Sequence, residues 1–278
     1  MNDRYDRQER FFGHEGHARL EGSKIALMGT GGNGMHVLQQ LAYAGVRKWA
    51  FVEFDVVENT NLNRLIGATP DDLGVLKTDV AARLLKSLHP QAQPVVIHGK
   101  IGDPAIEDDI RGQIADAALA IGCFDKELPR QEAIKLCSEV GVAYLDLATE
   151  IVRDGDELVY GGRMVFSFDG TGCLVCLGVL DQGELAREQM SDVQRAEHDR
   201  LYGLTAEEAG GSGPSVVTIN GVVASLASTE ALMFLTGLRQ PARQLTYLGQ
   251  DSVVRKNTTA GDPNCLYCSR WREARSNL

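Results

Sequence analysis

A short hydrophobic run leads directly into a glycine-rich turn near the start of this chain, in the stretch IALMGTGGNGMHV at residues 25–37. Gly29, Gly31, Gly32 and Gly34 stand where a strand should end and a helix begin. Without side chains there, backbone N–H groups can approach phosphate oxygens, and the helix N-terminus favours negative charge. The stretch therefore predicts a nucleotide-binding turn rather than a tight turn without a ligand. NAD(P) and ATP would both satisfy these contacts.

Strand and helix patterns alternate through the first half of the chain, as in the βαβ units of a parallel sheet. Beyond about residue 150 the pattern changes to longer strands of the kind that pair antiparallel. Residues 215–237 then read as a long apolar helix that Gly237 ends. The sequence thus predicts a Rossmann-like, doubly wound, mostly parallel α/β sheet with an antiparallel C-terminal extension. The segments are strands at 24–28, 49–55, 94–99, 117–124 and 142–148, and helices at 35–44, 75–88 and 129–140.

The 278 residues suit one domain of this class. We expect an N-terminal arm over 1–23, a nucleotide-binding half over 24–150 and a substrate-binding half over 151–278. A charged segment followed by AGGSGP forms a connection over about 181–214. Connections of this length are usually functional or disordered.

Charge and hydropathy exclude two classes of partner. The net charge of −10 argues against non-specific nucleic-acid binding, which needs a positive field. No stretch approaches about 20 uninterrupted apolar residues, so no membrane span is predicted. The charged start MNDRYDRQER has no signal-peptide core, and we expect a cytoplasmic protein.

Residues beyond the turn distinguish between the two nucleotides. Glu53 ends the second predicted strand, where an acid can hold a ribose hydroxyl of either one. The segment VVENTNLNRLIG that follows brings Arg64, and Lys77 begins the next helix. Asp125 stands at the carboxyl end of a later strand, where ligands bind in open α/β sheets. Cationic side chains for phosphates and a carboxylate for Mg²⁺ together predict an ATP·Mg²⁺ site.

These motifs resemble one superfamily in their order and spacing, the ubiquitin-activating-enzyme-like adenylyltransferases of the ThiF/MoeB type. The resemblance covers nearly the whole chain, and the combination is specific although the glycine turn alone is not. The motifs are RYDRQ at 4–8, GTGGNG at 29–34, NLNR at 61–64, Lys77, Asp125 with Arg130 five residues on, and two late CxxC pairs.

The resemblance implies that the C-terminal carboxylate of a small ubiquitin-like protein attacks the α-phosphate of ATP and releases pyrophosphate. It also implies a homodimer with composite sites. The implied roles are Arg64 and Lys77 at the β- and γ-phosphates, Asp125 on Mg²⁺, Glu53 and Asp55 at the ribose, Asn61 and Asn63 along the phosphates, and Arg7 reaching into the partner subunit's site. Two residues depart from the family pattern. Glu53 stands where aspartate is more common, and Lys126 stands where asparagine is usual.

Four of the six cysteines form two CxxC pairs, Cys173 with Cys176 and Cys265 with Cys268. Four thiolates in two close pairs suit a tetrahedral structural Zn²⁺ site that leaves no position for substrate. Unligated thiols or local disulfides are the alternative. CxxC disulfides are mostly redox motifs near the start of a βαβ unit, which these pairs are not. Cys123 and Cys137 read as core residues.

No cysteine lies between Cys176 and Cys265, the region where thioester-forming relatives carry their nucleophile. The resemblance therefore implies an enzyme that stops at the acyl-adenylate and passes it to a separate acceptor, a conjugating enzyme or a sulfur donor. Three other functions remain open at this point. They are adenylation of a peptide or small carboxylic acid, NAD(P)-dependent oxidoreduction, and a non-catalytic scaffold that binds a ubiquitin-like partner.

Overall fold

The computed structural model describes residues 3–154, 157–202 and 213–276. Within these residues, eight strands form one sheet in the order β3-β2-β1-β4-β5-β6-β7-β8. Strands β1 to β5 run parallel, and β5 to β8 pair antiparallel. This architecture confirms the predicted fold class. The strands are β1 Lys24–Met28, β2 Lys48–Glu53, β3 Val95–His98, β4 Leu119–Gly122, β5 Tyr144–Asp154, β6 Glu157–Ser167, β7 Gln244–Leu248 and β8 Val253–Asn257.

Helices cover both faces of the parallel part of the sheet. The predicted helices at 75–88 and 129–140 begin at Lys77 and Glu127 in the structure. Among the described residues the helices are α1 Asp6–Gly22, α2 Gly32–Ala44, α3 Lys77–Leu88, α4 Glu107–Ala115, α5 Glu127–Val140, α6 Gln182–Glu188, α7 Asp192–Tyr202, α8 Val217–Thr236 and α9 Leu266–Ser276.

The central strands β1 and β4 are hydrophobic because both of their faces are covered. Four of the five residues of β1 and all four of β4 are buried. One core joins the sheet to α2, α3 and α8, and a second core joins its other face to α4, α5 and the region of the late cysteines.

The strand order places a topological switch point beside β1, which lies between β2 and β4. The helix after β1 packs into the first core, and the helix after β4 packs into the second. The connections that leave β1 and β4 therefore diverge to opposite faces and open a crevice at the carboxyl ends of these strands. Open α/β sheets bind ligands in such a crevice.

The apolar helix predicted at 215–237 is α8, which ends at Gly237 in the left-handed conformation with φ 70°. Among the described residues it is the one helix long and apolar enough to cross a membrane, with mean hydropathy 1.4. Its buried residues, such as Val223, Ala227 and Ala231, lie in the first core against α2 and the sheet. Its hydropathy is therefore that of a core helix.

The connection predicted over about 181–214 contains α6 and α7, and residues 203–212 lie outside the described part of the chain. Strand β5 runs through residue 150, where the sequence placed the boundary between the two halves.

Candidate active site

The glycine turn joins β1 to α2 at the switch point. Its start is fixed by the N–H of Gly29, which donates to Val52 O at 3.0 Å. Gly29 has φ 91°, and a Cβ atom on it would lie 2.7 Å from the carbonyl oxygen of Cys123. A Cβ atom on Gly34 would lie 2.0 Å from the carbonyl oxygen of Gly29. The tight fold of the turn therefore requires both glycines, whereas a Cβ atom on Gly31 would meet nothing within 4 Å.

Replacing Gly34 with alanine should destabilise the protein, because the new methyl group meets a backbone atom that side-chain rotation cannot move. Overpacking of this kind costs about 1–3 kcal/mol. At about 2–4 °C per kcal/mol, we expect a fall in melting temperature of several degrees, measured by scanning calorimetry.

The control for this change is Gly31→Ala, whose methyl group points into open space at φ −77°. Gly31→Ala should keep the wild-type melting temperature and weaken ATP binding if the turn holds phosphates. Equal melting temperatures for Gly34→Ala and wild type would contradict the geometry described above.

Glu53, at the end of β2, ties the glycine turn to the neighbouring strand. One carboxylate oxygen accepts the N–H of Thr30 at 3.1 Å. The other accepts the N–H groups of Phe54 at 2.9 Å and Asp55 at 3.2 Å. The carboxylate thus lies beside the turn at the edge where a ribose would bind, and its role toward a ribose stays a prediction.

Asp55 and Lys77 form an ion pair, with Lys77 Nζ 2.8 Å from Asp55 Oδ2. The chain between them folds back on itself, since the Lys77 N–H also donates to Asp55 O at 3.0 Å. The Lys77 side chain is only 12% exposed. The lysine is thus held at the start of α3, next to the end of β2.

Arg64 lies directly over the glycine turn. Its Cγ would be 3.4 Å from a Cβ atom on Gly32. Its guanidinium donates to Thr60 O at 2.6 Å and to Asn63 Oδ1 at 3.1 Å. Arg64 is thus close enough to the turn to meet a phosphate there, and Asn63 helps to orient it.

Asn61 is buried and has a local structural role. Its Oδ1 accepts the N–H of Glu58 at 3.1 Å, while the Glu58 side chain caps the same short 3₁₀ helix in return. This reciprocal cap fixes the loop that presents Arg64. The structure does not show Asn61 turned toward the glycine turn, and its predicted contact with phosphates stays a prediction.

Asp125 follows β4 on an exposed loop at the carboxyl edge, and its side chain makes no hydrogen bond with another described residue. The loop itself is held from both sides. The N–H of Cys123 donates to Met28 O at 2.9 Å, and Arg130 Nη2 donates to Phe124 O at 2.6 Å. Asp125 is therefore an open carboxylate on a fixed loop, as a Mg²⁺ ligand requires.

Arg130 belongs to a buried charge cluster beneath this loop. Asp146 is fully buried and accepts from Arg163 at 2.7 Å, and its other oxygen is 3.6 Å from Arg130 Nε. Burial opposes the charge of Arg130, but Asp146 and Glu127 outweigh it and raise the Arg130 pKa. Burial also raises the pKa of Glu127, and Arg130 counteracts that shift. The cluster keeps Arg130 charged and directed at the Asp125 loop.

Sequence reasoning did not identify Asn220, an almost fully buried amide on α8. Its Nδ2 would lie 2.3 Å from a Cβ atom on Gly32, and its Oδ1 accepts from Thr149 at 3.1 Å. Asn33 Nδ2 donates to the same threonine at 3.4 Å. Asn220 therefore supports the glycine turn from α8. An amide in the first half of a largely apolar helix was the sequence signal that pointed to it.

Arg7 is exposed on α1, and no hydrogen bond or salt bridge joins it to another described residue of this chain. Within the single chain, no described contact brings Arg7 to the glycine turn, and its predicted role in a partner subunit stays a prediction.

The four late cysteines converge as predicted. Their sulfur atoms all lie within 4.8 Å of one another, with Cys173 Sγ 3.8 Å from Cys176 Sγ and 3.7 Å from Cys265 Sγ. A tetrahedron of zinc–sulfur bonds of about 2.3 Å has sulfur–sulfur edges of about 3.8 Å. All four are free thiols, so the alternative of local disulfides does not hold in this structure. The cluster therefore has the ligand type and the spacing that Zn²⁺ requires.

A doubly wound sheet with this glycine turn at its switch point, and with Arg64 beside the turn, defines a nucleotide-binding α/β protein. The chain belongs to the ThiF family, whose sequence profile matches residues 5–266. It is an ATP-dependent adenylyltransferase.

Named relatives agree with this assignment. The chain is 26% identical over 275 residues to the molybdopterin-synthase adenylyltransferase of Escherichia coli, covering 96% of both chains. It is 30% identical over 274 residues to the sulfur carrier protein adenylyltransferase of Thermus thermophilus, covering 96% of this chain and 90% of that one. The crystal structure of E. coli MccB with AMPCPP and MccA shares the fold, with TM-score 0.71 at 20% identity over 96% of this chain and 74% of that chain.

Proposed function

We propose that this protein adenylates the C-terminal carboxylate of a small ubiquitin-like or sulfur-carrier protein. The observation that carries the proposal is the similarity to a sulfur carrier protein adenylyltransferase over 96% of this chain, together with a glycine turn that has Arg64 beside it. The Lys77–Asp55 pair and the Arg64 position supply cations where a triphosphate would lie. An oxidoreductase has no triphosphate for these cations to neutralise.

In the proposed reaction a carboxylate oxygen of the carrier attacks the α-phosphorus of ATP. An oxygen–phosphorus bond forms as the bond to the β-phosphate breaks, and pyrophosphate leaves with the electron pair. Backbone N–H groups of the glycine turn orient the phosphates. Arg64 and Lys77 stabilise the charge that moves onto the leaving group. Glu53 and Asp55 hold the ribose, and Asn63 keeps Arg64 in position.

The divalent cation fits the site because Asp125 offers an exposed carboxylate on a fixed loop. Mg²⁺ held there would neutralise charge on the phosphates. Zn²⁺ in the cysteine cluster would be structural, with Cys173, Cys176, Cys265 and Cys268 filling all four positions. Thiolate ligation of this kind also agrees with a reducing, cytoplasmic setting.

The test of this function is ATP–pyrophosphate exchange with and without a purified small carrier protein that ends in a free carboxylate. Exchange that appears only with the carrier, and is lost when its C-terminal residues are removed, would support the proposal. Exchange driven instead by short peptides or small carboxylic acids would identify the alternative substrate class. ATP binding without exchange on any substrate would favour the scaffold.

Arg7 is proposed to act in the partner subunit's site of a homodimer. Arg7→Ala should lower the exchange rate by about 100-fold while the dimer persists in sedimentation, because one transition-state cation is lost. The control is Arg10→Ala, an exposed arginine of the same helix that pairs with Asp6.

Mixing subunits distinguishes action in the same chain from action across the dimer. Arg7→Ala and Asp125→Ala chains, refolded together, should regain about a quarter of wild-type activity, because half of the dimers contain one intact composite site. No recovery from two inactive variants would place Arg7 in its own chain's site or outside the chemistry.

A further inference from the structure

Helix α6, the first helix of the long connection, is joined to the start of α5. The carboxylate of Glu188 at the end of α6 accepts the N–H of Glu127 at 3.1 Å through one oxygen and the N–H of Leu128 at 2.7 Å through the other. These groups belong to the first turn of α5, where helical N–H groups have no partner within the helix. Lys126 occupies the N-cap position and supplies no side-chain acceptor.

A capping acceptor normally comes from the residue that begins the helix. Here it comes from about sixty positions along the chain. A second contact supports the docking, since Gln189 Nε2 donates to Gln131 Oε1 at 3.5 Å, and Leu185 on α6 is buried. The helix is thereby held against α5.

The helix start that Glu188 holds is also the end of the Asp125 loop. That loop runs from Cys123 to Lys126 and is anchored at its beginning by the Cys123 N–H and in its middle by Arg130. Glu188 supplies the anchor at its end. Asp125 itself has no described side-chain partner, so its placement depends on these three anchors.

We propose that Glu188 is a positioning residue for adenylation, which fixes the start of α5 and thereby holds Asp125 where it meets the phosphates. The inference rests on the proposed function of Asp125. It makes the first part of the long connection a component of the nucleotide site. A carrier protein that contacts α6 would thus act on Asp125 through Glu188.

The test compares three variants of the protein. Glu188→Ala removes both acceptors, Glu188→Gln keeps one, and Glu184→Ala is the matched control on the same helix, with a side chain that is 58% exposed. In Glu188→Ala the kcat of ATP–pyrophosphate exchange should fall about 10-fold while the Kd for ATP changes less than twofold, since misplacing one group affects the transition state more than binding. Glu188→Gln should recover a large part of the rate, and Glu184→Ala should match wild type.

Two further readouts separate positioning from a general loss of structure. Deuterium uptake in Glu188→Ala should rise over residues 124–130 and stay at the wild-type level in β1 and α2. The Mg²⁺ concentration for half-maximal exchange should rise several-fold, because Asp125 is the proposed ligand.

Wild-type kcat with unchanged deuterium uptake over 124–130 in Glu188→Ala would overturn the inference. So would a lower rate accompanied by increased uptake throughout the protein, since this would show a merely structural role. If wild type itself shows no exchange, the proposed function fails. Deuterium uptake then still decides whether Glu188 holds the loop.

Discussion

Asp125→Ala should abolish adenylation while leaving nucleotide binding largely intact. The carboxylate is exposed at the carboxyl edge of the sheet, and it makes no hydrogen bond with another described residue. Removing the one protein ligand proposed for Mg²⁺ takes away stabilisation that develops in the transition state. Losses of this kind amount to about 100-fold or more in rate. The measurement is the exchange rate at saturating ATP, alongside the Kd for ATP from calorimetry.

The control for this change is Asp109→Ala, an exposed aspartate on α4 whose side chain makes no hydrogen bond with another described residue. It should match wild type in rate and affinity. If Asp125→Ala keeps more than about a tenth of the wild-type rate, Asp125 is not the main metal ligand.

Loss of the cysteine cluster should have the largest effect on stability. Cys173 and Cys265 are 92 positions apart, so a bound metal closes a long loop. By the chain-entropy estimate, cross-linking a loop of this size contributes about 4–5 kcal/mol. At about 2–4 °C per kcal/mol, Cys268→Ser or removal of zinc by a chelator should lower the melting temperature by about 10–15 °C.

Helix α9 should not detach completely in that experiment, because Trp271 Nε1 also donates to Val142 O at 3.2 Å and Arg270 lies 3.5 Å from Glu139.

The chain should contain one zinc per molecule by elemental analysis, and Cys137→Ala should keep that zinc. A zinc-free wild type, or a chelator without effect on melting, would refute the metal site.

Local sequence patterns predicted the parts of the site that depend on neighbouring residues. A hydrophobic strand, a glycine turn and an amphipathic helix follow one another within 25–44, and each has a periodicity that propensity and burial explain. The structure confirms the fold class and places Glu53, Arg64 and Asp125 at the carboxyl edge expected of a doubly wound sheet. The cysteine pairs could also be predicted, because the CxxC spacing by itself lets two sulfur atoms bind the same metal ion.

Contacts between segments far apart in the chain could not be predicted from local sequence patterns. Asn220 reaches the glycine turn from α8, Glu188 reaches α5 from the connection, and Asp146 balances Arg163 within the sheet. The cap that Asn61 makes on a 3₁₀ helix was likewise not predicted, and its assignment to the phosphates stays a prediction. Each of these roles depends on which side chains meet after folding.

The sequence by itself determined the class of sheet, the turn at which phosphates would bind, and the late cysteine pairs, whereas the strand order and its switch point came from the structure. Strand and helix segments follow from local hydrophobic periods, and the glycine turn follows from backbone sterics. Only the tertiary structure showed which charged side chains pair, as Lys77 does with Asp55. It alone also showed that Glu188, on a helix distant in sequence, holds the end of the Asp125 loop. The physical reason is that hydrogen bonds and ion pairs act over about 3 Å. Residues far apart in sequence come within that distance only when the chain has folded.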